Sequence, residues 1–277
     1  MDKFFRYLLL NESGIYTLVG SKPITEGQFF YEEDNEKKKL RWDKLSEEEK
    51  RERILLINRD KSEDMSFYKN LPREIKKKAI ILRDRDYILD QSQVIKNWDV
   101  IEKIPLSANY ILKRKKLELS TEEGPIPFYN IFFVNVLETA LLLQKNYELF
   151  RNVVGFDFDA MSVVLELKEE KSEFWEKLEE SKNSLLWGLL YGFGDKNSFV
   201  FQWKHNEKYG LSNVLQTFSY EEFIPNPTIK NFPIPTFVSF FKDDPVVDHY
   251  KKERDKIQKL YQRKNFIDFS LKILCGS

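Results

Sequence analysis

Residues 126–143, IPFYNIFFVNVLETALLL, form the most apolar stretch of the chain and decide how the rest can fold around it. A membrane-spanning helix needs about 20 apolar residues, and a carboxylate such as Glu138 would cost about 3 kcal/mol at the bilayer centre. The stretch also contains Asn130 and Asn135, which favour a protein interior over lipid. We therefore predict a central helix at 129–151, buried on most of its surface, and we expect no membrane span.

The composition excludes several classes of protein. The 277 residues include 45 basic and 45 acidic side chains, and 15% of them are aromatic. Aromatic residues this abundant require a packed interior, so the chain is not disordered as a whole. A net charge of zero gives no electrostatic footprint for nucleic-acid binding. One cysteine, Cys275, excludes an internal disulfide, and beside only His205 and His249 it predicts no zinc site and no metal cofactor.

The pattern outside the central stretch predicts a mainly helical α+β fold. Apolar runs at 4–10 and 15–19 flank a Ser-Gly turn and predict an N-terminal β-hairpin or small sheet, packed on a multi-helix body. Apolar spacing and capping residues predict the helices of that body. The predicted helices lie at about 47–58, 72–82, 92–103, 129–151, 160–181, 185–191 and 246–274.

The best candidate for a domain boundary is the Glu-Gly-Pro-Ile-Pro sequence at 123–127. It divides the chain into 1–122, with the predicted hairpin and charged helices, and 123–277, the predicted helical body. One continuous domain is the other interpretation. Within the body, residues 218–245 contain five prolines with aromatic residues between them, a pattern that predicts extended chain lying over a surface.

The aromatic residues of this Pro-rich segment are the first candidate binding site. Phe232, Phe237, Phe240 and Phe241 are expected to form one wall of a groove. No complete catalytic set accompanies them anywhere in the sequence. We therefore predict a non-enzymatic interaction or ligand-binding protein, whose partner is an unidentified protein or small ligand.

Residues 153–159, VVGFDFD, support an alternative. An apolar run followed by two aspartates two residues apart resembles the first motif of the haloacid-dehalogenase phosphatases. The resemblance implies that Asp157 attacks phosphorus, that Asp159 acts as general acid, and that Mg²⁺ screens the phosphate charge. It also implies that Asp243 and Asp244 imitate the acidic metal-binding pair of that family.

The sequence departs from this phosphatase motif in two ways. Ala160-Met161-Ser162 follows the aspartates, where the family has a small residue and then usually Thr or Val. No alternating pattern of strands and helices surrounds the motif. The other interpretation is that Asp157 ends a turn and Asp159 caps the helix that follows it.

Three further patterns each have a simple structural interpretation. Gly192-Phe193-Gly194 lacks the third glycine of a dinucleotide-binding fingerprint and predicts the end of one helix, with Asp195 capping the next. Asp248 and His249 are expected at the exposed start of a helix. Glu138 is either a buried acid with a raised pKa or the polar edge of an apolar helix face.

Two stretches, 8–25 (LLLNESGIYTLVGSKPIT) and 185–203 (LLWGLLYGFGDKNSFVFQW), resemble segments of uncharacterised proteins from chlamydia-like intracellular bacteria. The resemblance implies a host-associated bacterial source and no known activity. An excess of Lys over Arg, 33 to 12, agrees with the codons of an AT-rich genome. We expect a protein of the bacterial cytoplasm, or an envelope-associated or secreted protein if a leader preceded Met1.

Overall fold

A computed structural model describes residues 2–30, 46–48, 97–121, 124–205, 216–218, 220, 224 and 227–276. In these residues the fold is α+β and mainly helical, as predicted, with a three-stranded antiparallel sheet. Helices α1 to α11 are Asp2–Arg6, Ile15–Val19, Trp98–Ile101, Val136–Lys145, Tyr147–Val154, Ala160–Leu165, Glu173–Glu180, Ser184–Leu190, Asp195–Lys204, Pro245–Leu260 and Phe266–Cys275. Strands β1 to β3 are Ile24–Phe30, Tyr110–Thr121 and Gly124–Asn135.

The apolar stretch at 126–143 is part strand and part helix. Strand β3 lies at the centre of the sheet, whose order is β1-β3-β2, and α4 begins directly after it. The side chain of Asn135, the last residue of β3, accepts a hydrogen bond from the backbone N–H of Glu138 (3.1 Å) and caps α4. The prediction of one helix at 129–151 is therefore wrong for residues 129–135, which belong to β3. Beyond Asn135 the prediction of a helical chain is confirmed by α4 and α5.

This error has a physical cause, because β3 is buried on both faces. Ile131 and Phe133 pack in one hydrophobic core, and Phe132 and Val134 pack in the other. A strand that is covered on both faces carries apolar residues at every position. It therefore lacks the alternation that distinguishes a strand from a buried helix.

The N-terminal residues form helices in place of the predicted hairpin. α1 continues into a π-helical turn, Tyr7–Asn11, and α2 follows after a sharp reversal at Ser13 and Gly14. Ser13 has a left-handed backbone conformation (φ 61°), and a β-carbon on Gly14 would lie 2.6 Å from the carbonyl oxygen of Leu8. The Ser-Gly pair does mark a turn, but the turn joins two helices whose apolar side chains enter the same core.

The C-terminal half is helical where predicted, although in shorter pieces. The predicted helix at 160–181 consists of α6 and α7, and the side chain of Ser172 caps α7 between them. The predicted helix at 246–274 consists of α10 and α11, with Arg263 in a left-handed conformation (φ 60°) between them. No helix of the described residues is long and apolar enough to cross a lipid bilayer.

Some predicted elements lie outside the described residues. This applies to the helix at 72–82 and to most of the helix at 47–58, of which residues 47 and 48 are helical. Residues 124–127 of the predicted boundary at 123–127 lie within the sheet, because they begin β3 and pair with the end of β2. The division of the chain into two domains stays a prediction.

A pair of glycine substitutions tests the packing between the end of α8 and α10. Gly192 and Gly155 both have positive φ, but a β-carbon on Gly192 would overlap the hydroxyl of the buried Tyr250, whereas one on Gly155 would meet nothing within 4 Å. We expect Gly155→Ala to lower the free energy of unfolding by about 1 kcal/mol from backbone strain. Gly192→Ala should cost about 1–3 kcal/mol more. Equal losses in urea unfolding would contradict this packing.

Candidate functional site

A polar cavity of about 480 Å³ lies beside the outer edge of β1, and this volume is typical of a small-molecule site. Its walls come from the π-helical turn, from the start of β1 and the residues before it, and from the chain after α8. The ionisable side chains in its lining are Tyr7, Glu12, Lys22, Glu26 and Tyr191. We call this cavity the Lys22 pocket.

Unusual backbone geometry forms one wall of the Lys22 pocket. The π-helical turn Tyr7–Asn11 ends beside Glu12, and the left-handed Ser13 follows it. π-Helical turns and left-handed non-glycine residues are both uncommon and occur preferentially at functional sites. Here they bring Tyr7, Asn11, Glu12 and Ser13 to the same cavity.

Lys22 is the central charged group of the pocket. Its side chain is buried (6% exposed), and its ammonium donates a hydrogen bond to Thr25 Oγ1 (3.1 Å). Thr25 Oγ1 also shares a hydrogen bond with Thr17 Oγ1 (2.8 Å), which fixes its position. Burial lowers the pKa of Lys22 to about 8, although the nearby carboxylates of Glu12 and Glu26 favour the charged form.

Two carboxyl groups flank this lysine. Glu26 accepts hydrogen bonds from the hydroxyl of Tyr191 and from the side-chain amide of Asn130 on β3. Burial raises the pKa of the Glu26 carboxyl, although the Tyr191 bond favours its ionised form. Burial also raises the pKa of Glu12, against the opposing effects of a hydrogen bond from Tyr7 and of the Lys22 charge.

The pocket can therefore hydrogen-bond to a ligand and can also exchange protons with it. Its ammonium group is shifted towards the neutral amine, and its two carboxyl groups are shifted towards the neutral acid. Burial also raises the pKa of Tyr7 and Tyr191, so both phenols stay protonated and can donate hydrogen bonds. Several perturbed ionisable groups in one cavity are characteristic of functional sites.

A larger groove of about 700 Å³ lies between β2 and the segment around α7. Two of its lysines already have protein partners: Lys113 donates to the backbone carbonyl of Glu169, and Lys115 forms an ion pair with Glu179. The Lys113 pKa is lowered by burial, but the side chain lies in an exposed contact.

The predicted aromatic wall in the Pro-rich segment is mostly buried. The described residues 227–244 belong to no helix or strand, and the chain turns at 229–230. Phe232 (0% exposed), Phe237 (9%) and Phe240 (9%) lie in the interior, and Phe241 is half-buried. The ring of Phe232 packs against Tyr16. These rings contribute to packing in this structure, and a role for the four phenylalanines in binding stays a prediction.

The four aspartates of the phosphatase alternative have separate structural roles. Asp157 is exposed and accepts a hydrogen bond from the Tyr147 hydroxyl (2.8 Å), and Asp159 caps α6. Asp244 is buried and caps α10, whereas its neighbour Asp243 is exposed. No three Asp, Glu, His or Cys side chains within the described residues are grouped as a metal ion would require. A phosphatase role for these aspartates stays a prediction.

The remaining predicted residues lie outside the Lys22 pocket. Glu138 is half-buried, and burial together with the charge of Glu253 raises its pKa. His249 is exposed, as expected, and its Nε2 lies 2.8 Å from Ser21 Oγ. His205 is also exposed. Asp195 is the first residue of α9 and not its cap, because Gly194 occupies the capping position.

Sequence analysis did not identify the Lys22 pocket. Ser13 belongs to the Ser-Gly turn of the predicted hairpin, which the structure replaces by helices. A usable signal was present: Glu12, Lys22 and Glu26 are the charged residues between positions 7 and 30 of an otherwise uncharged N-terminal segment. Charged side chains in such a segment become buried when its apolar neighbours pack.

No family model, curated protein or solved structure matches this chain.

The buried charge of Lys22 should make stability depend on pH. Because the pKa falls from 10.5 in the unfolded chain to about 8 in the folded protein, the folded state loses its proton first, and the destabilisation is complete below pH 8. Lys22→Met, which approximates the neutral side chain, should raise the free energy of unfolding by about 3 kcal/mol at pH 7 and by about 1 kcal/mol at pH 10.

The control for this measurement is Lys145→Met. Lys145 is exposed and pairs with Asp195 at 3.0 Å, so its substitution should change stability by under about 1 kcal/mol across the same range. Urea unfolding at pH 7, 8, 9 and 10 gives both profiles. A difference between Lys22→Met and the natural protein that stays constant between pH 7 and 10 would show that Lys22 titrates normally.

Proposed function

We propose that this protein binds a small polar molecule in the Lys22 pocket. The observation that supports the proposal is a buried ammonium group with one hydrogen-bond acceptor, Thr25 Oγ1, among the described residues. An ammonium has three N–H donors, and a buried donor without a partner is costly. A ligand oxygen in the pocket would accept from the donors that remain.

The lining also limits the chemistry of the ligand. Glu12 and Glu26 favour ligand groups that donate hydrogen bonds, such as hydroxyl or amine groups. Asn11, Gln28 and Thr236 add uncharged polar groups at the cavity wall. A compact molecule with several oxygen atoms satisfies both requirements, and strongly apolar ligands do not.

Binding should appear as stabilisation of the folded protein. We expect at least one compound from a panel of polyols, hydroxy-aldehydes, amino acids and small carboxylates to raise the unfolding temperature. A ligand at 100 times its Kd adds about 2.7 kcal/mol to the free energy of unfolding. Thermal unfolding with increasing concentrations of each compound provides the measurement.

Two variants decide whether the ligand occupies the Lys22 pocket. Lys22→Met should abolish the stabilisation, because it removes the N–H donors, whereas Lys145→Met should retain it, because Lys145 is exposed and pairs with Asp195. Stabilisation of equal size in Lys22→Met would place the binding site elsewhere. The absence of a shift with every compound would contradict the proposal.

We also propose a bacterial origin and a cytoplasmic location. The support is the excess of Lys over Arg, 33 to 12, which is typical of an AT-rich genome. A small polar metabolite would be available to a binding protein in that compartment.

A further inference from the structure

We infer that Lys22 forms an imine with the carbonyl group of a small hydroxy-aldehyde bound in the Lys22 pocket. This inference rests on the proposed function and specifies the class of its ligand. It gives the pocket a chemical reaction in addition to a binding role.

The geometry provides a nucleophile at the cavity wall. The Lys22 side chain is 6% exposed and lines the cavity, and Gly192 packs beside it, where a β-carbon would lie 3.3 Å from Lys22 Cγ. Thr25 Oγ1 accepts one N–H, and Thr17 in turn bonds to Thr25. The amine is therefore held in a defined position and retains its capacity to bond with a ligand.

The same cavity contains the proton donors and acceptors that imine formation requires. Glu12 and Glu26 line it together with Lys22, and Tyr191 holds Glu26 in place. Each carboxyl group has a pKa raised by burial, so each retains a proton more readily than a carboxyl group in water does. An acid of this kind can protonate a leaving hydroxyl group.

The reaction balances without an oxidant or reductant. The neutral amine attacks the carbonyl carbon, the C–N bond forms, and a proton moves from nitrogen to the carbonyl oxygen to give a carbinolamine. A carboxyl group then protonates the hydroxyl, which leaves as water while the nitrogen lone pair forms the C=N bond. The net change is aldehyde plus amine to imine plus water, and the carboxylate recovers its proton from the iminium nitrogen.

The charges of the pocket select the type of carbonyl compound. Once Lys22 has become a neutral imine, the described lining contains no basic side chain, so a ligand carboxylate or phosphate would have no opposite charge to pair with. The uncharged lining residues Asn11, Gln28 and Thr236 can instead hydrogen-bond to hydroxyl groups. A short, uncharged hydroxy-aldehyde meets these conditions.

The lowered pKa of Lys22 also supports its role as the nucleophile. With a pKa of about 8, roughly a tenth of the side chains are neutral at pH 7, whereas an ordinary lysine with a pKa of about 10.4 has well under a thousandth in that form. Since only the neutral amine attacks carbonyl carbon, Lys22 should react before the exposed lysines.

Reductive trapping with glyceraldehyde and cyanoborohydride tests the inference on the whole protein. We expect peptide mass mapping at pH 7 to find Lys22 modified at least about tenfold faster than the exposed Lys145, because of its larger neutral fraction. The ratio of the two rates should fall as the pH rises from 7 to 10. Because both lysines react in the same tube, the ratio is independent of how pH affects the reductant.

One variant serves as the control for the labelling. Lys22→Arg retains the positive charge but cannot form an imine, so it should lose the rapid labelling while Lys145 is still labelled. If that variant does not fold, the rate ratio in the natural protein still decides the result. Stabilisation by glyceraldehyde with Lys22 labelled no faster than Lys145 would overturn the imine and leave the proposed function standing. Absence of stabilisation by every compound of the panel, together with absence of selective labelling, would overturn both.

Discussion

The burial of β3 on both faces is the constraint on which the rest of the structure depends. One face packs with the N-terminal helices, α10 and α11, and the other packs with α4 to α8. A sheet covered on both sides needs helices from before and after it in the chain. The cap at Asn135 then turns the chain directly from the central strand into α4, and so begins the second of these two layers.

The Lys22 pocket follows from the position of β1 in this sheet. β1 pairs with β3 on one side only, so its other edge requires cover from irregular structure. The π-helical turn and the chain around Tyr191 lie there, and they bring polar groups to the edge. Glu26 of β1 is also bonded to Asn130 of β3, which connects the pocket to the most buried element of the fold.

Local signals in the sequence predicted local structure well, and long-range packing accounts for the errors. The cap at Asp159 and the helix at 185–191 were predicted correctly because a capping side chain and a short apolar run act within a few residues. The strand at Phe132 and the helices around Ser13 were not, because continuous apolar runs fit either element until their partners are known. The pocket was missed for the same reason: Lys22 and Tyr191 are far apart in the chain and meet only in the folded protein.

The Lys22 pocket brings together three ionisable groups whose charged forms are opposed by burial, and this unfavourable arrangement can favour binding. Burial opposes the charged forms of Lys22, Glu12 and Glu26 at the same place. A ligand that hydrogen-bonds to these groups, or that converts the ammonium to a neutral imine, removes part of that unfavourable energy. This relief occurs only in the complex, so it strengthens binding of the ligand. The empty protein keeps the unfavourable charge burial and is less stable. Burial of the Lys22 charge destabilises the empty protein, and a small polar molecule that relieves this destabilisation binds more tightly as a result.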